Sequence, residues 1–518
     1  MTDTPGRVSV DVGALTEAEL LAVARGGAGV ELAAAAISAI SASRSVIEQL
    51  ASDSVPHYGI STGFGALATT SIPAEKRKDL QRSLVRSHAA GSGPEVEREV
   101  VRAMMLLRLS TLATGHTGIR PETAQLLADL LEHGITPVVR EYGSLGCSGD
   151  LAPLAHVALV LMGEGEVRTA DAALHPAADA LAAAGLQPVE LAEKEGLALI
   201  NGTDGMLGQL LLAAADAELL LRTADITAAM SVEAQLGTDR VFAADLQDLR
   251  PQPGQAVAAA NMRALLAGSP IVASHADPDD CTYVQDAYSL RCAPQVAGAA
   301  RDVLGFVRAT AAHELASAVD NPVVTSDGRV ESNGNFHGAP VAYALDFLAI
   351  PLADLASMSE RRTDRMLDAN RSRGLPPFLA ADPGVDSGHM IAQYTQAAIV
   401  AECKRLAAPA SVDSIPSSAM QEDHVSLGWN AARKLRRVVD GVTRVLAIEL
   451  LTAARALDMR APLLPGAATG AVVAGLRETV AGPGPDRFLS AEIELAVGYV
   501  RTGAAVEAAN AALPTPLA

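Results

Sequence analysis

The sequence predicts a mainly α-helical fold, in which a bundle of long helices follows an N-terminal part rich in glycine loops. Hydrophobic residues make up 49% of the 518 residues but aromatic residues only 3%, so the core must consist mainly of Ala, Leu and Val. Ala and Leu are strong helix formers, and this composition favours helix over sheet. The sequence pattern also changes near the middle of the chain. We therefore expect an N-terminal part at residues 1–204 and a helical bundle at 205–518, either as two packed parts or as one continuous domain.

Apolar residues at helical spacing identify the long helices. The pattern predicts helices over residues 205–236, 294–319, 339–366 and 431–457. In the second of these, apolar residues that include Val303 recur at intervals of about 3.6 residues, and charged side chains lie between them. Several such helices with few strand signals are typical of a helical bundle, in which the apolar stripes form the core.

Charge and cysteine content exclude several classes of protein. The formal net charge is −20, and a chain this acidic repels phosphate groups, so we expect neither a nucleic-acid partner nor binding to an anionic membrane surface. The four cysteines are too few for a disulfide scaffold, and the first residues lack the pattern of a signal peptide. The apolar segment 210–221 contains two acidic residues and is not expected to span a membrane. We therefore expect a cytoplasmic protein.

Short polar segments with glycine interrupt the helical pattern. In helical proteins, loops of this kind often carry the functional site. Four of them lie in the first part and two follow downstream: HYGISTGFG at 57–65, SHAAGSG at 87–93, YGSLGCSGD at 142–150, ALINGTDG at 198–205, QDAYSLRCAPQ at 285–295 and SNGNFHG at 332–338.

Taken singly, each segment also has a purely structural interpretation. The spacing in YGSLGCSGD favours a tight turn in which Asp150 caps a helix beginning at Leu151. His88 and His424 would be hydrogen-bonded core histidines, and Glu422 would lie in the first turn of a solvated helix. No pair of these residues has metal-ligand spacing on one helix face, so we predict no zinc site.

Seven motifs taken together resemble one family. They are YGISTGFG, LQRSLVRSHAAG, GSLGCSGDLAPLAH, GLALINGT, QDAYSLRC, GNFHG and QEDHVS, in this order. On these motifs the chain resembles the histidine ammonia-lyase family over nearly its whole length. The resemblance implies a mainly helical homotetramer in which each site draws residues from three subunits.

The resemblance also implies a prosthetic group made from the chain itself, 4-methylideneimidazol-5-one, and no external cofactor. Carried over to this sequence, the nitrogen of Gly149 would attack the carbonyl carbon of Cys147, and dehydration of Ser148 would leave an electrophilic carbon. Glycine suits position 149 because it has no Cβ to block the close backbone approach. The family more often has Ala in place of Cys147. Since only the backbone of that residue enters the ring, we expect closure to be tolerated.

Further roles follow from the resemblance. Tyr58 would be the base that takes the β-proton of the substrate. Arg291 would bind the substrate carboxylate, because its planar fork matches that group at two points. Tyr288, three residues earlier, would supply a second hydroxyl and share a helix face with Arg291 if this stretch is helical. Hydrogen-bond partners and the pocket wall would come from Asn201, Gln285 and Phe336.

The Ser87-His88 pair carries the strongest signal for the substrate. Related lyases acting on tyrosine tend to have His-Leu at this pair, and those acting on phenylalanine have Phe-Leu. His88 would hydrogen-bond the imidazole of L-histidine, and Glu422 would accept from its N–H. One departure is Met420, where Asn is common in the family. The implied reaction is elimination of ammonia from L-histidine to give trans-urocanate, the first step of histidine degradation.

Three alternatives remain open at this stage. A tyrosine or phenylalanine ammonia-lyase, or an aminomutase, would use the same chemistry on another substrate. A catalytically dead helical scaffold would be expected to lack Ser148, Gly149 or Tyr58, all of which are present. A fumarase-like helical lyase with a serine base is suggested only by the GSLG run, and the other motifs do not fit it.

Overall fold

Helices dominate the computed structural model, which describes residues 6–53, 55–63, 65–67, 69–276 and 284–518. The predicted fold class is thereby confirmed. The α-helices are α1 Glu17–Ala24, α2 Ala34–Ala51, α3 Arg77–His88, α4 Arg98–Ala113, α5 Pro121–Glu132, α6 Leu151–Leu161, α7 Ala177–Ala183, α8 Glu195–Ile200, α9 Asp204–Ala234, α10 Ala244–Asp248, α11 Pro253–Leu266, α12 Pro270–Ala273, α13 Tyr288–Arg291, α14 Ala293–Leu315, α15 Ala339–Leu367, α16 Met390–Leu406, α17 Gly428–Asp458, α18 Ala467–Arg477, α19 Leu489–Arg501 and α20 Ala504–Ala511.

The strands are all short and form small separate sheets. They are β1 Val8–Val10, β2 Val30–Leu32, β3 Ser92–Glu95, β4 Thr136–Pro137, β5 Arg140–Tyr142, β6 Glu166–Arg168, β7 Leu174–Pro176, β8 Val323–Val324 and β9 Val330–Glu331. Strand β1 pairs in parallel with β2, while β3–β5, β4–β6–β7 and β8–β9 are antiparallel. Single 3-10 turns occur at Gly65–Leu67, Ala74–Lys76, Arg240–Phe242, Pro377–Leu379 and Ser418–Met420.

The four long helices predicted from the apolar pattern are α9, α14, α15 and α17. Their bounds agree with the prediction to within a few residues. The largest difference is at the end of α14, which stops at Leu315, whereas the pattern extends to residue 319. Beyond this helix the carbonyl of Val319 accepts a hydrogen bond from the guanidinium of Arg108 at 2.9 Å. A side chain remote in sequence thus binds a backbone group that the apolar pattern assigned to the helix.

The chain forms two compact units, each made of several segments. Unit 1 comprises Met1–Leu212, Arg308–Leu345 and Ala410–Arg433. Unit 2 comprises Ala213–Val307, Asp346–Pro409 and Lys434–Ala518. The boundary between residues 204 and 205 that the sequence suggested stays a prediction.

Unit 1 is built around α4, whose residues from Val100 to Ala113 are all buried. Helices α1, α2, α5 and α6 pack against it. Two arginines of α4, Arg102 and Arg108, lie in this apolar surrounding, and each donates to backbone carbonyl groups. The buried charges therefore tie α4 to loops and helix ends of the same unit.

Unit 2 contains helices α10–α12, α16 and α18–α20 together with parts of the long helices. Helix α18 packs on α11 and α20. In its core, Arg362 forms a two-point ion pair with Glu449, whose carboxylate also accepts from Thr227 and Ser231. All four of these polar side chains are buried, and the network pairs each charge with a partner.

Among the described residues, α15 is the one helix long and apolar enough to cross a membrane. Its mean hydropathy reaches 1.5 over an 18-residue window, of which 61% is buried inside the protein. A core helix satisfies the same criterion, so this finding is weak evidence for a membrane span.

Candidate functional site

The Cys147-Ser148-Gly149 tripeptide lies in the loop between β5 and α6. Gly149 has a φ of +76°, and a Cβ on it would lie 2.1 Å from the carbonyl oxygen of Gly202. The N–H of Asp150 donates to that same oxygen at 2.7 Å. The position therefore accepts only glycine, both for its backbone conformation and for the close approach of the Gly202 segment.

Asp150 occupies the residue before α6, but it does not cap that helix. The helix begins at Leu151 as predicted, whereas no cap hydrogen bond forms from the Asp150 side chain, so the capping interpretation is wrong. The carboxylate instead accepts from the hydroxyl of Ser144 and from the N–H of Met206, both at 2.8 Å. Burial raises the pKa of Asp150 to about 7. This side chain thus ties the tripeptide loop to the first turn of α9.

Five of the predicted site residues line one cavity of unit 1. The cavity has a volume of about 480 Å³ and brings together Tyr58, His88, Ser148, Asn201 and Glu422. Cys147 and Gly149 flank Ser148 in the chain. The remaining wall is formed by Gly63, Gly65, Leu67, Thr70, Ile72, Leu80, Ser83, Leu84, Ser87, Leu151, Leu197, Ile200, Asn321 and Ser418.

Tyr58 lies half-buried in the loop that precedes the Gly65–Leu67 turn. Its phenolic oxygen accepts a hydrogen bond from the N–H of Gly65 at 3.3 Å. This bond orients the hydroxyl.

His88 is the last residue of α3, and its ring is held by the preceding helical turn. Nδ1 lies 2.9 Å from the carbonyl oxygen of Leu84 and 3.1 Å from the hydroxyl of Ser87. Because a carbonyl oxygen only accepts, Nδ1 carries the proton, and Nε2 of the neutral ring is an acceptor. Burial lowers the pKa of His88, although the Leu84 carbonyl and the charge of Glu422 oppose this shift. The cavity therefore holds a neutral histidine with one acceptor nitrogen available.

Glu422 stands at the end of a tight hairpin. The N–H of Ser417 donates to the carbonyl oxygen of Glu422 at 2.9 Å, and the hydroxyl of Ser417 donates to Oε2 of Glu422, also at 2.9 Å. Burial, and next the charge of Glu422, raise the pKa of the Cys147 thiol to about 12. The thiol is therefore protonated at neutral pH.

Asn201 is buried, and its amide group is oriented by one clear contact. Nδ2 donates to the carbonyl oxygen of Asn321 at 2.7 Å, so Oδ1 points the other way. Among the described residues Oδ1 has no hydrogen-bond partner, although it is buried. The carbonyl group of Asn201 accepts from Arg108 at 2.9 Å. The site thus contains a fixed, unpaired acceptor that suits a ligand with an N–H or O–H donor.

Four predicted residues are not brought into this cavity. Phe336 lies half-buried in unit 1 but does not line it. Gln285, Tyr288 and Arg291 belong to unit 2. Tyr288 and Arg291 share one turn of helix, as expected, and the guanidinium lies 4.7 Å from the centre of the Tyr288 ring. The buried Nε of Arg291 has no hydrogen-bond partner among the described residues. The roles of these four residues stay predictions.

One cavity thus contains Ser148 of the tripeptide, Tyr58 and the acceptor groups of His88 and Glu422, and comparison with known proteins identifies the family. A model of the family described as aromatic amino acid lyase matches residues 15–478.

The chain belongs to the aromatic amino acid lyase family.

Relatives of this lyase confirm the family that the seven motifs suggested. The chain is 63% identical over 504 residues to a histidine ammonia-lyase of Streptomyces avermitilis, covering 97% of this chain and 98% of the relative. Among solved structures, a tyrosine aminomutase from Streptomyces globisporus matches with a TM-score of 0.93 and 39% identity, covering 99% of this chain and all of that one. A histidine ammonia-lyase from Trypanosoma cruzi matches with a TM-score of 0.90, also at 39% identity, covering 98% of this chain and 96% of that one. The backbone is thus shared by enzymes that are named for different substrates.

Three polar residues of this lyase's site were not predicted from the sequence. Arg108 binds the Asn201 carbonyl, Asn321 orients the Asn201 amide, and Ser417 binds Glu422. The only signal for Arg108 was a charged residue within an apolar helix. Asn321 and Ser417 lie in polar loop segments, where nothing in the sequence distinguishes them from their neighbours.

Proposed function

We propose that the chain eliminates ammonia from L-histidine to give trans-urocanate, the first step of histidine degradation. The observation that carries this proposal is that His88 and Glu422 line the same cavity as Ser148. The high identity to relatives named histidine ammonia-lyase supports it.

The substrate ring would be held by the two acceptors on the cavity wall. An imidazole N–H can donate to the carboxylate of Glu422 or to Nε2 of His88. A phenyl ring offers no donor, and each buried acceptor left without one would cost about 1–3 kcal/mol. A tyrosine side chain has a single hydroxyl at the end of a longer ring. Relative to the two acceptors, this hydroxyl would lie at a different position from the imidazole N–H. Recognition by polar groups of this kind gives strong discrimination against an analogue that lacks the donor.

The residues of the tripeptide loop fit the prosthetic group that the resemblance implies. Gly149 is held against Gly202 at a distance that no other residue tolerates, and Ser148 lines the cavity. Oδ1 of Asn201, which has no hydrogen-bond partner among the described residues, would accept from a donor on the group. When 4-methylideneimidazol-5-one is formed from Cys147, Ser148 and Gly149, it supplies an electrophilic carbon that makes the substrate amine able to leave.

The remaining steps belong to side chains of the chain. Tyr58, oriented by the N–H of Gly65, would take the β-proton of the substrate. Arg291 would bind the substrate carboxylate, and its Nε, which has no hydrogen-bond partner among the described residues, is consistent with that role. Tyr288 and Gln285 would supply further polar contacts, and Phe336 would form part of the wall.

We further propose a cytoplasmic homotetramer in which another copy of the chain supplies Gln285, Tyr288 and Arg291 to the cavity. These three residues belong to unit 2 and do not line the cavity of unit 1, which motivates this proposal. Free Cys147, Cys292 and Cys403 are compatible with a reducing compartment, while Cys281 lies outside the described residues.

One experiment tests the activity. The purified protein is incubated separately with L-histidine, L-tyrosine and L-phenylalanine, and the ultraviolet absorbance of each unsaturated acid is followed. Urocanate from histidine is expected, whereas absorbance from tyrosine alone would contradict the assignment. Chromatography of the same mixtures for β-amino acids tests the aminomutase alternative. An intact mass lower than the sequence mass by two water molecules is expected if the prosthetic group has formed.

A further inference from the structure

The segment from Ser417 to Glu422 is a closed hairpin that projects into the cavity wall. Backbone hydrogen bonds join Ser417 and Glu422 in both directions, at 2.9 Å and 3.3 Å. The three residues Ser418, Ala419 and Met420 between them all have positive φ values, from +51° to +70°. This left-handed turn brings the two ends of the hairpin face to face, so that the Ser417 and Glu422 side chains lie on the same side.

Within this hairpin, the Ser417 hydroxyl hydrogen-bonds the Glu422 carboxylate. It donates to Oε2 at 2.9 Å, and both side chains are half-buried. A hydrogen bond to a charged acceptor is stronger than one between neutral groups. It removes rotational freedom from a side chain that would otherwise be mobile at the cavity wall.

Two further groups face the same carboxylate from other elements. Burial raises the pKa of the Cys147 thiol in the tripeptide loop, and the charge of Glu422 contributes to raising it. The imidazole of His88, at the end of α3, also lies within range of that charge. Ser417 is therefore the partner that fixes Glu422 from its own hairpin, while the other side of the carboxylate faces the cavity.

We propose that Ser417 is a positioning residue, which holds the Glu422 carboxylate in the orientation that recognises the imidazole of the substrate. This inference rests on the proposed role of Glu422 as the acceptor for the imidazole N–H. Ser417 does not line the cavity and acts through Glu422 alone. It thereby adds a determinant of substrate choice that lies behind the cavity wall.

The test compares Ser417→Ala with a matched control in the same loop, Ser414→Ala. Ser414 is also half-buried, and its hydroxyl accepts from the N–H of Val425 at 2.9 Å. Ser417→Ala is expected to raise KM for histidine about tenfold, equivalent to about 1.4 kcal/mol, with kcat changed less than about twofold. It should weaken inhibition by imidazolepropionate, which has no amine to lose, by the same factor. Ser417→Thr keeps the hydroxyl and should restore both constants, and Ser414→Ala should leave both unchanged.

A double-mutant cycle with Glu422→Ala separates this inference from the proposed function. If Ser417 acts through Glu422, adding Ser417→Ala to Glu422→Ala should not weaken imidazolepropionate binding further. Equal weakening by Ser417→Ala in both backgrounds, or by Ser414→Ala, would overturn the positioning role while leaving Glu422 in place. If Glu422→Ala itself binds imidazolepropionate as tightly as the unaltered protein, the proposed role of Glu422 falls, and the inference falls with it.

Discussion

Two polar side chains of the cavity, those of Tyr58 and His88, are oriented by backbone groups. His88 is held by the Leu84 carbonyl, and Tyr58 by the N–H of Gly65. Such contacts fix the orientation of a ring or a hydroxyl without a second charged side chain beside it. The charge of a bound ligand is therefore not offset by such a side chain. The proposed role of Tyr58 as the base can be tested at this hydroxyl.

Replacing Tyr58 by Phe should remove the base and leave the cavity shape intact. Because positioned acid–base groups contribute about 10²–10⁴-fold, we expect kcat to fall by a factor in that range while KM changes little. Steady-state kinetics on histidine measures both constants. Tyr142→Phe is the control, since this tyrosine is 59% exposed and does not line the cavity. Nearly full turnover by Tyr58→Phe would exclude Tyr58 as the base.

Met420 should be a weak point in stability. Its φ of +70° lies in the left-handed region, which costs a side-chain-bearing residue about 1–2 kcal/mol relative to glycine, and its side chain is 67% exposed. Met420→Gly should therefore raise the free energy of unfolding by about 1 kcal/mol, after allowing for the greater freedom of glycine in the unfolded chain. Denaturant titration at one fixed protein concentration measures the change. Met420→Ala is the control, because alanine keeps the strained backbone and should give no gain. Equal gains from both variants would show that removal of the side chain matters and the backbone does not.

At the residue scale, the sequence predicted residues that line the cavity better than it predicted the groups that orient them. Tyr58, His88, Ser148, Asn201 and Glu422 were predicted by motif resemblance, and the structure gathers them in one cavity. The groups that orient these residues were not predictable. The hydrogen bond from Ser417, for example, depends on a left-handed turn, and the sequence SSAMQE gives no signal for such a turn. Nothing in these residue types indicates that Ser417 binds a side chain five positions further along the chain.

At the scale of elements, helix crossings depend on glycines that the apolar pattern does not explain. Helices α11 and α14 of unit 2 approach each other at Gly254 and Gly298. A Cβ on Gly298 would lie 2.3 Å from the backbone nitrogen of Gln255, a contact that no side chain can make without a shift of backbone. The same helix carries Gly305, around which a Cβ would meet nothing within 4 Å. Replacing these two glycines by alanine is therefore expected to change the stability of the protein in opposite directions.

Gly298→Ala should destabilise the protein by about 1–3 kcal/mol, because overpacking forces the two helices apart. Gly305→Ala should instead stabilise it by up to about 1 kcal/mol, since alanine has the higher helix propensity and finds free space within the chain. Denaturation midpoints of both variants at equal protein concentration give the comparison. Changes of the same sign in the two variants would contradict the close crossing at Gly298.

The elements themselves were predictable in proportion to their length. The long helices α9, α14, α15 and α17 present many turns of apolar periodicity, and their bounds agree closely with the pattern. Strands of two to four residues, such as β8 or β3, are too short for an alternating pattern and pair through partners remote in sequence. The start of α6 was predicted correctly. The hydrogen bond between Asp150 and Met206 was not, because it joins elements more than fifty residues apart and local sequence rules describe only neighbouring residues.

At the scale of the whole molecule, we propose that the site draws residues from more than one copy of the chain. Tyr58 lines the cavity of unit 1, whereas Arg291 belongs to unit 2 and does not line it. If different subunits supply these two residues, variants that are each inactive should complement each other in mixed oligomers. Tyr58→Phe and Arg291→Ala, co-expressed in equal amounts and purified together, are then expected to recover activity. With random assembly about a quarter of the sites would contain an intact residue of both kinds, because each residue has an even chance of coming from an intact copy.

The following controls show whether recovered activity comes from sites shared between subunits. Each variant expressed alone should be inactive, and co-expression of Tyr58→Phe with Tyr58→Ala should stay inactive, since no intact base enters any site. Separately purified variants mixed without subunit exchange should also show no recovery, which links the activity to shared sites. If Tyr58 and Arg291 of one site came from the same copy, every mixed oligomer would contain only sites with one defect. Activity no greater than that of the separate variants would therefore contradict the shared site, even if the protein proved to be a tetramer.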